Sequence, residues 1–248
     1  MSGSPSWLRE HPIAHRGLHG PEVPENSMAA FEAAVSAGYG IELDVHLSAD
    51  DRLVVMHDED LRRTTGHPGR VRELDSALVR EIALLGTDGT VPLLDDVLSR
   101  VAGRVPLLVE VKPGDAPPSR VGRALARTLA GYRGPHAVQS FDPRLLIWLR
   151  RNVPELLRGQ IAEAFRRGSL PLGRRLALRT MVLNGRSRPH FIAYDVDAVP
   201  SLAVAVWRRL LRVPLLVWTV QSVAQLERAR KVRANVIFED IDPGRPRP

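Results

Sequence analysis

Short apolar runs alternate with longer amphipathic stretches along almost the whole chain, and this alternation limits the folds that the chain can adopt. Residues 107–111 form an apolar run typical of a strand buried on both faces, and residues 120–130 carry the pattern of a helix. About eight such β/α units fit into the chain, over roughly the length that a closed parallel barrel requires. The sequence therefore predicts the α/β class and a (β/α)8 barrel.

The order of these segments predicts one domain. Strands are predicted at residues 13–15, 41–45, 53–56, 107–111, 136–140, 158–162, 191–194, 215–219 and 236–238. Helices are predicted at residues 27–37, 77–84, 94–101, 120–130, 143–152, 201–211 and 223–231, with an arginine-rich helical region up to about residue 182. Because no linker is long enough to divide the chain, we expect residues 1–248 to form a single barrel domain.

The last predicted strand lacks a helix of normal length behind it. Only a short segment rich in Pro and Arg follows Asp240. The outer face of this strand would stay uncovered unless the N-terminal segment, the arginine-rich region or a second subunit packs against it. The sequence leaves these three alternatives open, and the third would make the protein a homodimer.

Charge and composition narrow the classes of partner. The net charge is +7, but the arginines are dispersed, which favours solvated helix faces over a binding patch for anionic substrates, phospholipid headgroups or nucleic acid. No nucleic-acid-binding motif accompanies the charge, so we do not expect a nucleic-acid partner. The chain has no cysteine, which excludes disulfides, thiolate nucleophiles and thiolate metal ligands.

The distribution of apolar residues predicts a location in the cytoplasm. No stretch of about 18 apolar residues runs without a charge, so no integral membrane segment is expected. Residues 1–10 lack the apolar region of a signal peptide.

Titratable side chains occur where predicted strands end. They are His15 and Arg16 after the first strand, Glu42 and Asp44 on the second, His57 after the third, and Glu110 and Lys112 on the fourth. Residues two apart on a strand share a face, and the carboxyl ends of parallel barrel strands meet at one rim. We therefore expect these side chains to lie close together.

The chemistry of this set is coherent. Glu42, Asp44 and Glu110 are hard oxygen donors that suit Mg²⁺ or Ca²⁺. Buried together without a cation, three carboxylates would be costly, which favours a metal site. The histidines can transfer protons near neutral pH, and Arg16 and Lys112 can bind a phosphoryl group. Such a combination is what displacement at a phosphodiester requires.

Five motifs in a fixed order resemble a known family. They are Ala14-His15-Arg16-Gly17, Pro24-Glu25-Asn26-Ser27 before Ala30-Phe31, Ile41-Glu42-Leu43-Asp44-Val45, Val55-Met56-His57-Asp58 and Leu61-Arg62-Arg63-Thr64-Thr65-Gly66. Further matches are Val91-Pro92-Leu93-Leu94, Val109-Glu110-Val111-Lys112, Gln139-Ser140-Phe141 and Val217-Trp218-Thr219-Val220. In this order they resemble the glycerophosphodiester phosphodiesterases, over nearly the whole chain and least from about residue 158 to 188.

The resemblance implies a TIM barrel with a small insertion after the second strand, at about residues 58–90. It implies metal-dependent hydrolysis of glycerophosphodiesters to sn-glycerol 3-phosphate and an alcohol. One divalent cation, Mg²⁺ or Ca²⁺, would be held by Glu42, Asp44 and Glu110. The two histidines, His15 and His57, would be acid and base, while Arg16 and Lys112 would touch the phosphate. The nucleophile would be a hydroxyl of the substrate, giving a cyclic phosphate that water opens.

Two departures from the family pattern concern the alcohol pocket. This chain has Gln221 where the family often has Asn, and Glu239-Asp240 where it often has Thr-Asp.

Several residues keep two interpretations. Glu25 could position the metal or His15, or it could be a charge near a helix N-terminus. Trp218 could form a wall of the substrate pocket or pack in the core. Asn26 is expected to cap the first helix. His46 is the other histidine for which a role at the site is considered.

Two alternative functions stay open. A lysophospholipase D would keep the barrel and the metal but act on a lysophospholipid. The loss of a histidine or of a metal carboxylate would favour a catalytically inactive phospholipid-binding barrel, and the sequence retains both histidines and all three carboxylates.

Overall fold

The computed structural model describes residues 5–164 and 180–244. The chain divides into two compact units, residues 13–136 and residues 1–12 with 137–248. None of the helices in the described ranges has the length and apolar character that crossing a bilayer requires. The single domain predicted from the sequence stays a prediction, and most of the arginine-rich region lies outside the described residues.

The first unit is built on a small mixed sheet. Its strands are β1 (Ile13–Ala14), β2 (Gly40–Leu47), β3 (Leu53–Val55) and β4 (Leu107–Val111). β2 pairs in parallel with β1 and β4, and its register places Asp44 opposite Glu110. β3 pairs antiparallel with β2, so the chain turns back towards β2 before it reaches His57.

Helices and an inserted segment complete this unit. They are α2 (Met28–Ala37), α3 (Arg62–Thr65), α4 (Ser76–Val79), α5 (Leu94–Val101) and α6 (Pro118–Leu129), with a 3₁₀ turn at Val71–Glu73. The predicted insertion follows the β2–β3 hairpin. Its residues Leu61, Val71 and Val79 belong to a buried hydrophobic cluster that also includes Val54 of β3. The helix predicted at residues 77–84 is shorter, since only the single turn α4 forms there.

The boundaries of α2 correct one prediction. Ser27 is the N-cap residue, and its hydroxyl accepts a hydrogen bond from the backbone N–H of Ala30 at 3.1 Å. Asn26, expected to be the cap, lies one residue earlier with φ +53°. At the other end, Gly38 adopts φ +78° and ends the helix, as predicted.

The second unit carries five strands and their helices. β5 (His136–Ser140) begins at its boundary and is followed by β6 (Arg158–Ala162), β7 (Phe191–Asp195), β8 (Leu215–Val220) and β9 (Asn235–Phe238). Each of these strands pairs in parallel with the next. The helices are α1 (Trp7–Glu10), α7 (Pro143–Asn152), α8 (Asn184–Ser187), α9 (Leu202–Leu211) and α10 (Val223–Lys231).

The N-terminal segment packs against the last two strands. α1 contacts β8 and β9, and its Leu8 side chain is fully buried. The Asn235 side chain donates hydrogen bonds to the backbone carbonyls of Trp7 (3.3 Å) and His11 (2.8 Å). Of the three alternatives left open by the sequence, the N-terminal segment is therefore the one that the structure places against the last strand.

Truncation of Leu8 tests this contact. Leu8→Ala should lower the free energy of unfolding by about 2–5 kcal/mol, because a buried leucine leaves a cavity that its surroundings only partly fill. The matched control is Leu202→Ala, since Leu202 lies in the same unit with 82% of its surface exposed. Urea unfolding of both variants measures the difference, and equal stabilities would contradict the packing described for α1.

Candidate functional site

Three buried carboxylates form the centre of the candidate site in the first unit. Glu42 and Asp44 come from β2, and Glu110 comes from β4. These residues are 1%, 0% and 8% exposed, and one oxygen from each lies within 4.8 Å of the others. The parallel register of β2 and β4 produces this proximity, since Asp44 is paired with Glu110. The structure thus brings together the three metal ligands that the sequence predicted.

Two cationic side chains balance part of this charge. Lys112 Nζ lies 2.8 Å from Asp44 Oδ1 and 2.7 Å from Glu110 Oε1. Arg16 Nε lies 3.3 Å from Asp44 Oδ2, and the backbone N–H of Arg16 donates to Glu42 Oε2 at 3.0 Å. The predicted phosphate-binding residues are therefore in contact with the predicted metal ligands.

The shifts in pKa record how unfavourable three neighbouring carboxylates are. Burial raises the pKa of Glu42 well above its usual value, and the charges of Asp44 and Glu110 raise it further. Burial and Asp44 likewise raise the pKa of Glu110 to about 7. Burial acts in the same direction on Asp44, but Lys112 and Arg16 outweigh it and hold the pKa of Asp44 below its usual value.

This arrangement fits a divalent cation. A cation at the centre would relieve the repulsion that raises the pKa of Glu42 and Glu110. The donors are all carboxylate oxygens, the ligands that Mg²⁺ and Ca²⁺ prefer.

Asn26 holds one of these carboxylates in place. Its amide N–H donates to Asp44 Oδ2 at 2.9 Å, and its amide oxygen accepts from the backbone N–H of Asp44 at 3.2 Å. The side chain is therefore used across the site and is not available as a cap. Its position in the Pro24-Glu25-Asn26-Ser27 motif was the signal for this role, but the known preference of Asn for helix caps suggested otherwise.

His57 reaches the site through the antiparallel hairpin. The backbone N–H of Met56 donates to the carbonyl of Asp44 at 3.0 Å, which fixes the chain one residue before His57. His46 Nε2 is 2.9 Å from the His57 carbonyl, so His46 supports the same backbone. Burial, together with the charges of Lys112 and Arg16, holds the pKa of His57 below its usual value despite the nearby Asp44.

His15 lies on the turn that follows β1, next to Arg16. The backbone N–H of Gly17 donates to the carbonyl of Glu42 at 3.2 Å, so this turn is attached to β2. Gly17 has φ +81°, and a Cβ atom there would lie 2.8 Å from the Cβ of Ala30, so a larger residue would disturb the turn. β1 ends at Ala14, one residue before the predicted end of the strand, so His15 directly follows the strand.

A chain of ion pairs connects His57 to Arg16. Asp58 Oδ1 is 2.6 Å from His57 Nδ1, and Asp58 Oδ2 accepts from Nε of Arg63. The two terminal nitrogens of Arg63 donate to Glu25 at 3.0 and 2.7 Å, and Glu25 accepts from Arg16 at 2.9 Å. Burial opposes ionisation of Glu25, but its two arginines outweigh it and hold its pKa below the usual value.

Two outcomes follow for the sequence interpretations. Glu25 binds Arg16 and Arg63, and a role in positioning the metal or His15 stays a prediction. Trp218 lies on β8 in the second unit, half-buried and edge-on to Phe141, with ring centroids 5.7 Å apart. Its role as a pocket wall stays a prediction.

Comparison with known sequences identifies one family. The model of the glycerophosphoryl diester phosphodiesterase family matches residues 15–241. A glycerophosphodiester phosphodiesterase of Caldanaerobacter subterraneus is 29% identical over 241 residues, which is 93% of each chain. Lysophospholipase D GDPD1 of Homo sapiens is 35% identical over 119 residues, 43% of this chain and 37% of that protein. The chain spans 37–43% of the length of three curated relatives that it matches over such shorter segments.

Comparison with solved structures shows the fold. A phosphodiesterase of Oleispira antarctica, in complex with the product sn-glycerol-3-phosphate, superposes with a TM-score of 0.80 at 21% identity. The match covers 96% of this chain and 95% of the other. The fold is a parallel (β/α)8 barrel with surrounding helices, so the predicted fold class is confirmed.

Replacement of Glu110 by Gln tests the charge balance of the carboxylate cluster. The folded-state pKa of Glu110 is about 7, so its contribution to stability is present below its unfolded pKa and is lost as the pH rises through about 7. Without divalent cations, Glu110→Gln should therefore gain on the order of 2 kcal/mol relative to wild type between pH 5 and pH 8.

Urea unfolding with a chelator, at both pH values, measures this difference. A saturating divalent cation should stabilise the wild type more than the variant at pH 8. A difference between the two proteins that does not change with pH would contradict the expected charge balance.

Proposed function

The chain belongs to the glycerophosphoryl diester phosphodiesterase family, and we propose that it hydrolyses glycerophosphodiesters to sn-glycerol 3-phosphate and an alcohol. In this proposal the reaction depends on a divalent cation, Mg²⁺ or Ca²⁺, and on proton transfer by His15 and His57. The observation that carries it is the cluster of three buried carboxylates within 4.8 Å, contacted by two cationic side chains.

The charge of the site supports a phosphodiester as the substrate. When all three carboxylates are ionised, they exceed the charges of Lys112 and Arg16 by one, and this net negative charge would repel a phosphodiester. A divalent cation held by Glu42, Asp44 and Glu110 would supply positive charge to the phosphoryl oxygens and lower the pKa of a nearby hydroxyl. With that charge present, the same residues carry one net positive charge, the complement of a phosphodiester monoanion.

Lys112 and Arg16 then act on the phosphate. Both side chains contact Asp44, so a phosphoryl group at the carboxylate cluster lies within their reach. Arg16 offers a planar set of donors, and Lys112 offers a compact charge. Their positive charge stabilises the additional negative charge that develops on the phosphoryl oxygens in the transition state.

Two histidines suit the two proton transfers. A hydroxyl of the substrate loses a proton as it attacks the phosphorus, and the leaving alkoxide gains one. Water then opens the cyclic phosphate through the same two transfers. Asp58 contacts Nδ1 of His57, which leaves Nε2 of that ring for proton transfer. His15, on the turn next to Arg16, is the second partner.

A lysophospholipase D reaction is the second candidate. The human relative with that name matches 119 residues of this chain at 35% identity. The carboxylate cluster serves either substrate, because both contain the same phosphodiester group. A panel containing glycerophosphocholine, glycerophosphoethanolamine and lysophosphatidylcholine distinguishes the two activities.

Four further properties stay predictions from the sequence. They are the single domain over residues 1–248, the location in the cytoplasm, the homodimer and the absence of a nucleic-acid partner.

The first prediction of this proposal concerns the metal. Hydrolysis of at least one diester in the panel should require Mg²⁺ or Ca²⁺ and should stop on chelation. Glu42→Gln should weaken cation binding and abolish turnover, since it removes a charged ligand. The matched control is Glu81→Gln, because Glu81 is an exposed carboxylate of the same unit. Hydrolysis by Glu42→Gln at the wild-type rate after chelation would show that the metal assignment is wrong.

The second prediction concerns the histidines. His15→Ala and His57→Ala should each lose roughly 10²–10⁴-fold in turnover while still binding the cation, the usual range for general acid–base catalysis. A diester with a very good leaving group needs no acid, so the variant that lacks the acid should recover much of its rate on it. His67→Ala, at an exposed histidine, is the control. If neither variant loses even tenfold on any diester, the two-histidine mechanism is wrong.

A further inference from the structure

Arg63 links His57 on one side of the candidate site to Arg16 on the other, through Asp58 and Glu25. It lies on α3, inside the inserted segment, and its guanidinium group donates to two carboxylates at once. Nε donates to Asp58, while the two terminal nitrogens donate to the two oxygens of Glu25 at 3.0 and 2.7 Å. We infer that Arg63 is a positioning residue that fixes the orientation of both His57 and Arg16. This inference rests on the proposed function, in which those two residues act on the substrate.

On one side, Arg63 acts through Asp58. The Asp58 carboxylate uses Oδ1 for His57 Nδ1, at 2.6 Å, and Oδ2 for Arg63. With both oxygens occupied, the carboxylate cannot rotate without breaking a charge-assisted hydrogen bond. Burial opposes ionisation of Asp58, but Arg63 and His57 outweigh it and lower its pKa to about 2, so it accepts the His57 N–H at neutral pH. The ring of His57 is thereby held with Nε2 as the free nitrogen.

On the other side, Arg63 acts through Glu25. Glu25 Oε1 accepts from both Arg63, at 2.7 Å, and Arg16, at 2.9 Å. Arg16 is held between Glu25 and Asp44, and its Nε lies 3.3 Å from Asp44 Oδ2. Removal of Arg63 would leave Glu25 with Arg16 as its guanidinium partner, so the carboxylate could turn and shift Arg16 away from its position beside Asp44.

The geometry distinguishes Arg63 from an ordinary surface ion pair. About half of its side chain is exposed, and isolated exposed ion pairs contribute little to stability. Here, however, one planar group holds three carboxylate oxygens that belong to two residues. The expected consequence is loss of orientation at His57 and Arg16, with little loss of global stability. A lysine has a single ammonium group in place of the planar fork and should replace Arg63 only in part.

Steady-state kinetics separate the two sides. Asp58→Asn should lower kcat by about 10–100-fold with little change in KM, the usual cost of removing the partner that orients an active histidine or ligand. Glu25→Gln should mainly raise KM, because it loosens Arg16. Arg63→Ala should do both, and Arg63→Lys should recover only part of the loss. The matched control is Arg62→Ala, an exposed arginine in the same helix, which should behave as wild type.

A double-mutant cycle tests whether Arg63 acts through Asp58. In the Arg63→Ala background, Asp58→Asn should cost less than about threefold in kcat, because the orientation is already lost. Thermal unfolding and Ca²⁺ titration of Arg63→Ala should match the wild type, which excludes a loss of activity through unfolding. Equal costs of Asp58→Asn in both backgrounds, or kcat and KM of Arg63→Ala within about twofold of wild type, would overturn the inference.

A spectroscopic measurement keeps the inference testable if no diester is hydrolysed. In protein labelled with ¹⁵N-histidine, the signals that disappear in His57→Gln belong to His57. Wild-type His57 should carry its proton on Nδ1, and Asp58→Asn and Arg63→Ala should both change the tautomer or broaden the signals. Arg62→Ala should leave them unchanged. Unchanged His57 signals in Arg63→Ala overturn the inference, whereas an inactive wild type with the expected spectra counts against the proposed function alone.

Discussion

Mutual repulsion among three buried carboxylates is the constraint on which the candidate site depends. Glu42, Asp44 and Glu110 lie where water cannot screen them, so every group around them has to supply positive charge, a proton or a hydrogen bond. Lys112 and Arg16 supply charge, and the turn after β1 supplies a backbone N–H to Glu42. The local structure of the first unit is arranged around this requirement.

The β2–β3 hairpin and the inserted segment also bring residues to the carboxylate cluster. β3 turns the chain back along β2 and returns it at the level of Asp44, where a further parallel strand would have carried it away. The inserted segment starts at that point, and its first helix places Arg63 within reach of Glu25 and Asp58. An excursion from the barrel therefore contributes directly to the order of the residues at the site.

The sequence predicts those features that depend on local pattern. Alternation of apolar and acidic residues on β2 indicates that Glu42 and Asp44 share a face, and the parallel register then brings Glu110 to them. The direction of β3 does not follow from local pattern, because residues 53–56 would look the same in a parallel and in an antiparallel strand. Only the pairing with β2 decides it. Polar contacts between residues far apart in the chain are also not visible in the sequence. Asn26 contacts Asp44 across the site, whereas its local sequence position favours a role as a helix cap.

The contact of α1 with β9 has a consequence for how the chain folds. Asn235 bonds to the carbonyl of His11, a residue 224 positions earlier, so this closure spans most of the chain. During synthesis, residues 13–136 form one continuous stretch that leaves the ribosome before β9 has been made. The helix at Trp7–Glu10 must wait, with Leu8 unburied, until β9 has been made. This helix is thus made before the strands that bury Leu8, and its apolar side chain stays exposed to water in the interval.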